Sequence, residues 1–112
     1  MRKYTPVHEW IEVTDSEATV GLLKSWINEI GTIVYVELPK VGSVVKKGMD
    51  IAVLESTKAA VDLYAPCSGT ITDVNSILFD NISLLNDAPE NSGWLYKISV
   101  QNIEELEEFE TC

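Results

Sequence analysis

One lysine stands where it could do chemistry. Lys58 lies in Glu55-Ser56-Thr57-Lys58-Ala59-Ala60, between the apolar run Ile51-Ala52-Val53-Leu54 and the segment Val61-Asp62-Leu63-Tyr64-Ala65-Pro66. In the second segment Val61 and Leu63 alternate with Asp62 and Tyr64. Two strand-length segments about a short polar break read as a β-hairpin with Lys58 at or beside its tip. The break contains no Asn-Gly or Asp-Gly pair, so its turn type is not legible. An amine held there is solvated and reachable, and the small Ala59 and Ala60 leave room for another protein to grip it. The chemistry this suits is covalent attachment through the lysine nitrogen. The plain alternative is a solvated surface lysine, and the hexapeptide alone does not separate the two.

The remaining reactive residues offer little else. There is a single histidine, His8, and no His-Glu-x-x-His, Gly-x-Ser-x-Gly or phosphate-binding glycine loop. The two cysteines, Cys67 and Cys112, match no metal or redox spacing, and nothing demands a disulfide between them. These absences argue against an enzyme.

Glu-Ser-Thr-Lys-Ala-Ala resembles the lipoylation site of glycine cleavage system H proteins, a family of lipoyl carriers. The resemblance extends through Lys3-Tyr4-Thr5-Pro6-Val7-His8-Glu9-Trp10, Gly31-Thr32-Ile33-Val34-Tyr35-Val36-Glu37-Leu38-Pro39, Val41-Gly42, Lys47-Gly48, Tyr64-Ala65-Pro66, Ser68-Gly69, Val74-Asn75, Leu85-Asn86 and Gly93-Trp94-Leu95-Tyr96-Lys97-Ile98, all in family order. It implies lipoate in amide linkage to Lys58, with Glu55, Thr57 and Ala59 around the attachment point and Glu55 as a recognition element for the attaching enzyme. The implied partners are glycine decarboxylase, which loads an aminomethyl group, an aminomethyltransferase, and dihydrolipoyl dehydrogenase. A lipoate ligase or a lipoyl or octanoyl transferase would install the arm. The family also implies a cleft sheltering the loaded arm, with Glu9 pairing with its amine and His8 adjacent. For Glu9 the alternative is a solvent-facing strand carboxylate; His8 reads as a packing or surface residue rather than a catalyst. Val7, Trp26, Glu29 and a short C-terminal segment depart from the family pattern near that cleft. A carrier relaying lipoyl groups to 2-oxo acid dehydrogenases is the alternative role. A biotin carrier is disfavoured because Thr57 and Ala59, not methionines, flank the lysine.

Composition agrees with a carrier. The 112 residues are 46% hydrophobic, enough for one domain with one core. The net charge of −10 argues against nucleic acid and anionic membrane as partners. It suits docking to enzymes with basic rims, or merely solubility. No apolar segment reaches the 18 residues of a membrane span, and Arg2 and Lys3 precede no apolar run, so a monomer in the cytoplasm is expected.

The elements that must position Lys58 follow from periodicity. Residues 1–7 read as a lead-in and His8 to Val13 as a strand, with Glu9 and Glu12 facing one way or the turn. Ala18 to Leu22 is its partner across Asp15-Ser16-Glu17. Leu23, Trp26, Ile27 and Ile30 fall at helical spacing before Gly31. Strands are expected over Thr32–Leu38, Val44–Val45, Thr70–Val74 and Trp94–Val100. Apolar residues in Ser76–Leu85 suggest a helical turn and a crossing loop. Asn102 to Phe109 reads as a C-terminal helix capped by Asn102. Short strands and frequent turns indicate a mostly β protein, and the resemblance specifies a barrel-sandwich hybrid of the lipoyl and biotinyl carrier type with short helices.

Overall fold

The computed structural model describes residues 2–5 and 8–111. In chain order the strands are β1 (Arg2–Tyr4), β2 (Glu9–Thr14), β3 (Glu17–Leu22), β4 (Ile33–Glu37), β5 (Val44–Val45), β6 (Asp50–Ser56), β7 (Ala60–Tyr64), β8 (Gly69–Val74), β9 (Tyr96–Val100) and β10 (Glu110–Thr111). Helix α1 (Lys24–Ile30) follows β3, while α2 (Ile77–Asp80) and α3 (Ser83–Asp87) lie between β8 and β9. A seven-stranded sheet runs β10-β1-β2-β3-β9-β8-β5 and a three-stranded sheet runs β4-β6-β7. All strand pairs are antiparallel. The buried cluster draws Ile11, Val20, Leu22, Ile71 and Ile98 from the large sheet and Val36, Ala52, Leu54 and Leu63 from the small one, so the core lies between the sheets. The mostly β architecture with short helices expected from the sequence is present.

Register explains which side chains enter that core. Glu9 pairs with Leu22, Ile11 with Val20 and Val13 with Ala18, and β9 continues the rows with Tyr96 opposite Val20 and Ile98 opposite Ala18. Side chains alternate along a strand, so Glu9 shares the inward face with Ile11. Glu9 and Glu12 therefore do not face the same way. Glu12 turns to the outer face and pairs with Arg2 at 3.1 Å, whereas Glu9 has no exposed surface. On the outer face Trp10 is buried over Gly21, where an added Cβ would come within 2.5 Å of the indole. The Arg2 guanidinium covers its other side at 4.1 Å from the ring.

Two terminal expectations are corrected. The lead-in contains strand β1, inserted between β2 and β10. The C-terminal helix is a short 3-10 helix, Ile103–Leu106, followed by β10 on β1. Asn102 does cap it, its side chain accepting from Glu104 N at 3.1 Å. A longer helix would place Glu107 and Glu108 at its negative end with no basic residue in the last turn, an unfavourable arrangement. Other contacts hold the segment instead. Ser68 N donates to Glu105 at 2.8 Å, and Lys47 forms an ion pair with Glu108. Leu106 is buried.

Asn86 fixes the edge strand β4 to the rest. Its Oδ1 accepts from Ile33 N at 2.8 Å and its Nδ2 donates to Ile33 O at 3.0 Å. Asn86→Ala strands both backbone groups of a buried residue and is expected to cost about 1–3 kcal/mol. Urea denaturation measures this; an unchanged midpoint would show that the pair contributes nothing.

Candidate functional site

The hairpin expected around Lys58 is formed by β6 and β7, with Glu55 opposite Ala60 and Thr57–Ala59 as the connecting loop. Lys58 is exposed, and among the described residues its ammonium enters neither of the ion pairs present. Its backbone is held firmly. Ser56 Oγ accepts from Lys58 N at 3.1 Å and from Ala59 N at 3.0 Å, and donates to Ile30 O at 2.7 Å. Ser56 N donates to Ala59 O at 2.8 Å, and Thr57 N donates to Thr32 O at 3.0 Å. Hydroxyl bonds of this local kind fix turns, but the bond to Ile30 reaches across to the end of α1.

Gly31 makes that approach feasible. It closes α1 with φ of 91°, and its N–H bonds to Ile27 O at 3.0 Å. A Cβ there would lie 2.6 Å from Thr57 Oγ1 and 3.5 Å from Lys58 Cγ, so any side chain would push on the loop. Beside it a polar recess of about 230 Å³ is lined by Lys24, Ile27, Asn28, Gly31, Thr32, Asn86 and Asp87. Thr57 and Ala59 enter the loop's hydrogen bonds through their backbones. Glu55 is exposed at the loop end of the hairpin, one strand away from Tyr35.

The other expected site residues lie apart from this tip in character. His8 is exposed, adopts φ of 70°, and stacks on Trp26 with ring centroids 5.4 Å apart. Glu9 is neither a solvent-facing carboxylate nor an ion-paired one. It is wholly buried, and among the described residues neither carboxyl oxygen has a hydrogen-bond partner. Desolvation pushes its pKa up to about 8, so the carboxyl is mainly protonated at neutral pH. The Tyr96 hydroxyl is likewise buried with no partner among the described residues, and burial raises its pKa, with the Glu9 charge adding to the effect. Trp26 is buried and Glu29 exposed on α1, while Val7 lies outside the described residues.

Cys67 is buried in the core and its thiol is pushed up to about 12, chiefly by desolvation and then by the Glu105 charge. Such a thiol is not an activated nucleophile. Cys112 lies outside the described residues. Among the described residues no helix is long and apolar enough to cross a membrane. Sequence reasoning passed over Ser56 and Tyr96 as site residues. A serine two residues before a turn lysine was a legible signal, whereas the orphaned Tyr96 hydroxyl was not.

Fold and site together define a small β carrier domain of the lipoyl type, with its lysine on a braced hairpin. The comparisons with known proteins specify which one. The model of the family described as glycine cleavage H-protein matches residues 2–111. A glycine cleavage system H protein of Thermotoga maritima is 47% identical over 108 residues, covering 96% of this chain and 87% of that protein. A probable glycine cleavage system H protein of Aeropyrum pernix is also 47% identical, over 94% of this chain and 73% of its own. The crystal structure of a glycine cleavage system H protein from Mycobacterium marinum superposes with a TM-score of 0.84 at 36% identity, covering 89% of this chain and 84% of that one. The chain belongs to the glycine cleavage H-protein family.

Two measurements probe this site. Between pH 4.5 and about 8 the folded chain keeps a proton on Glu9 that the unfolded chain has lost. Stability therefore falls as pH rises through that window, with a slope of about 1.4 kcal/mol per pH unit from this group, and levels off above it. Glu9→Gln, neutral throughout, removes that slope and is the more stable protein at about pH 8 in denaturant titrations. A variant that keeps the parental slope would show that Glu9 is not the group responsible. Separately, Ser56→Ala is expected to cost about 1 kcal/mol and to speed amide exchange at Lys58 and Ala59. Unaltered exchange would mean that the hydroxyl does not hold the turn.

Proposed function

We propose that this chain is the lipoyl carrier of a glycine cleavage system, with lipoate joined to Lys58 Nζ by an amide. The observation that carries the reading is the Lys58 ammonium, exposed on a loop whose backbone is tied at Ser56 and Thr57, in a member of this family. The residues present fit such a group: the amine is solvent-exposed, and the alanines beside it add no bulk. When bound, lipoate would supply a disulfide that can be reduced while accepting a one-carbon amine unit, and Lys58 would hold it within reach of glycine decarboxylase, an aminomethyltransferase and dihydrolipoyl dehydrogenase.

The chain's own part is to hold and to shelter. Ser56 and Gly31 fix where the arm begins and in which direction it leaves. Tethering at a fixed root gives each visiting active site a high effective concentration of the arm's far end. Glu55, exposed where β6 enters the loop, is the recognition feature we assign for the enzyme that installs the arm, a lipoate ligase or a lipoyl or octanoyl transferase.

Glu9 is the acceptor we assign for a primary amine. A buried carboxyl with both oxygens unpaired gains an ion pair or a charge-assisted hydrogen bond when an amine arrives. It is fully buried in the fold as it stands, so an amine reaches it only when the side chains covering it move. His8, at the surface over Trp26, borders that region of the chain. Placing the amine against Glu9 also removes it from water, which suppresses hydrolysis. Family membership favours this role over relay to 2-oxo acid dehydrogenases.

Labelled glycine tests the proposal. The native, lipoylated chain incubated with glycine decarboxylase is expected to take up label from the glycine methylene carbon, and Lys58→Arg none. A lipoylated native chain that takes no label would overturn the glycine cleavage role, and an unmodified Lys58 in protein from lipoate-replete cells would overturn the carrier reading itself. Glu9→Ala is expected to raise ammonia release from the loaded protein roughly tenfold, with dehydrogenase turnover unchanged. Ammonia release at the parental rate would remove Glu9 from the shelter.

A further inference from the structure

Strand β4 breaks its own alternation. Ile33 and Val36 are buried, but the two residues between them, Val34 and Tyr35, are 55% and 47% exposed. The cause is a register shift against β6 between Ile33 and Tyr35. A bulge of this kind re-aims side chains, and such bulges are over-represented beside functional sites. Here it turns two apolar side chains outward in succession on the edge of the three-stranded sheet. Next to them α2 exposes Phe79, by 59%. A groove of about 200 Å³ runs between, with Val34 and Tyr35 on one wall and Phe79 on the other. Three exposed apolar side chains on one groove, Val34, Tyr35 and Phe79, differ from the single exposed residues that every surface carries.

This ledge is in register with the attachment site. Tyr35 pairs with Glu55, three residues before Lys58, so it stands one strand spacing, about 5 Å, from the loop end of the hairpin. Its border is acidic: Glu55, Glu37 and Asp80 are all exposed.

We propose that the groove between β4 and α2 is where the enzyme that acylates Lys58 docks, seating an apolar side chain against Tyr35 and Phe79 and a basic rim against Glu37, Glu55 and Asp80. The proposal rests on the reading of Lys58 as the lipoylated residue. Reach identifies the occupant. Enzymes that act on the far end of an installed arm can dock at a distance from its root. The attaching enzyme has no arm to work through. It must bring the carbonyl of an activated acyl donor, a lipoyl adenylate, to bonding distance of Nζ. The C–N bond forms, the bond from the acyl carbon to the phosphate oxygen breaks, AMP leaves, and the amine gives up its proton. An enzyme closing on Nζ from this side therefore meets the ledge. Charge identifies the rim, because a partner facing three carboxylates is stabilised by lysines and arginines there.

The test is acylation of the full-length, unlipoylated chain by a lipoate ligase supplied with lipoate and ATP. Tyr35→Ser/Phe79→Ser is expected to lower kcat/KM roughly tenfold or more. Glu37→Gln/Asp80→Asn, which leaves the apolar surface intact, is expected to lower it less and to weaken its dependence on salt. Circular dichroism and thermal midpoint verify that each variant is folded. Parental kcat/KM in both variants would overturn the proposal. So would unaltered acylation combined with slower loading of the fully lipoylated variant by glycine decarboxylase, which assigns the ledge to that enzyme. Concentration-dependent dimers lost in the serine variant, with acylation unaltered, would assign it to a second copy of the chain. If the parental chain accepts no acyl group at Lys58, the failure lies with the carrier reading and not with the ledge.

Discussion

One hydroxyl group governs how Lys58 is presented. Ser56 Oγ bonds to two amides of the loop and to the last carbonyl of α1 at once. Pairing of β6 with β4 and the Thr57 amide bond to Thr32 hold the hairpin on one side, and the third bond ties its loop to a helix as well. With it the loop is braced against a helix whose Trp26 and Ile27 are anchored in the core. Each bond contributes only about 1 kcal/mol. Their value lies in geometry, because a group carried on a long flexible arm is delivered well only if the root of the arm does not wander.

Glu9 is a different kind of constraint. It occupies a position in the β2 pattern that Ile11 and Val13 fill with hydrocarbon, and it shares that layer with the unpaired Tyr96 hydroxyl. Burying either group without a partner costs about 1–3 kcal/mol. A fold built for stability alone would place an apolar residue there. Local violations of this sort concentrate at functional positions, and a neutral carboxyl waiting in an apolar layer is suited to a ligand that brings its own positive charge. The fold tolerates it because the protonated form carries no charge to desolvate.

The surface separates these two tasks. The braced loop and the apolar ledge of β4 and α2 face outward, where partners approach, while the buried carboxyl lies within the sandwich. Edge strands are exposed to unwanted pairing. On β4 the two outward apolar residues follow a bulge, and Asn86 bonds to both backbone groups of Ile33, which satisfies one stretch of that edge.

Periodicity in the sequence was sufficient for most strands, for α1 with its closing Gly31, for the hairpin and for the exposed position of Lys58. Each of these depends on residues close together in the chain, whose side chains alternate or recur by helix and strand geometry alone. The chain ends were not legible in that way. Arg2–Tyr4 became a strand only because β2 and β10 offered backbone partners on both sides, and the expected terminal helix gave way to a 3-10 turn and β10. Nor could alternation say that Glu9, rather than Glu12, would enter the core. That was decided by the pairing of β2 with β3 and β9, a matter of partners far apart in sequence, and only a closed layer of such partners removes a carboxyl from water.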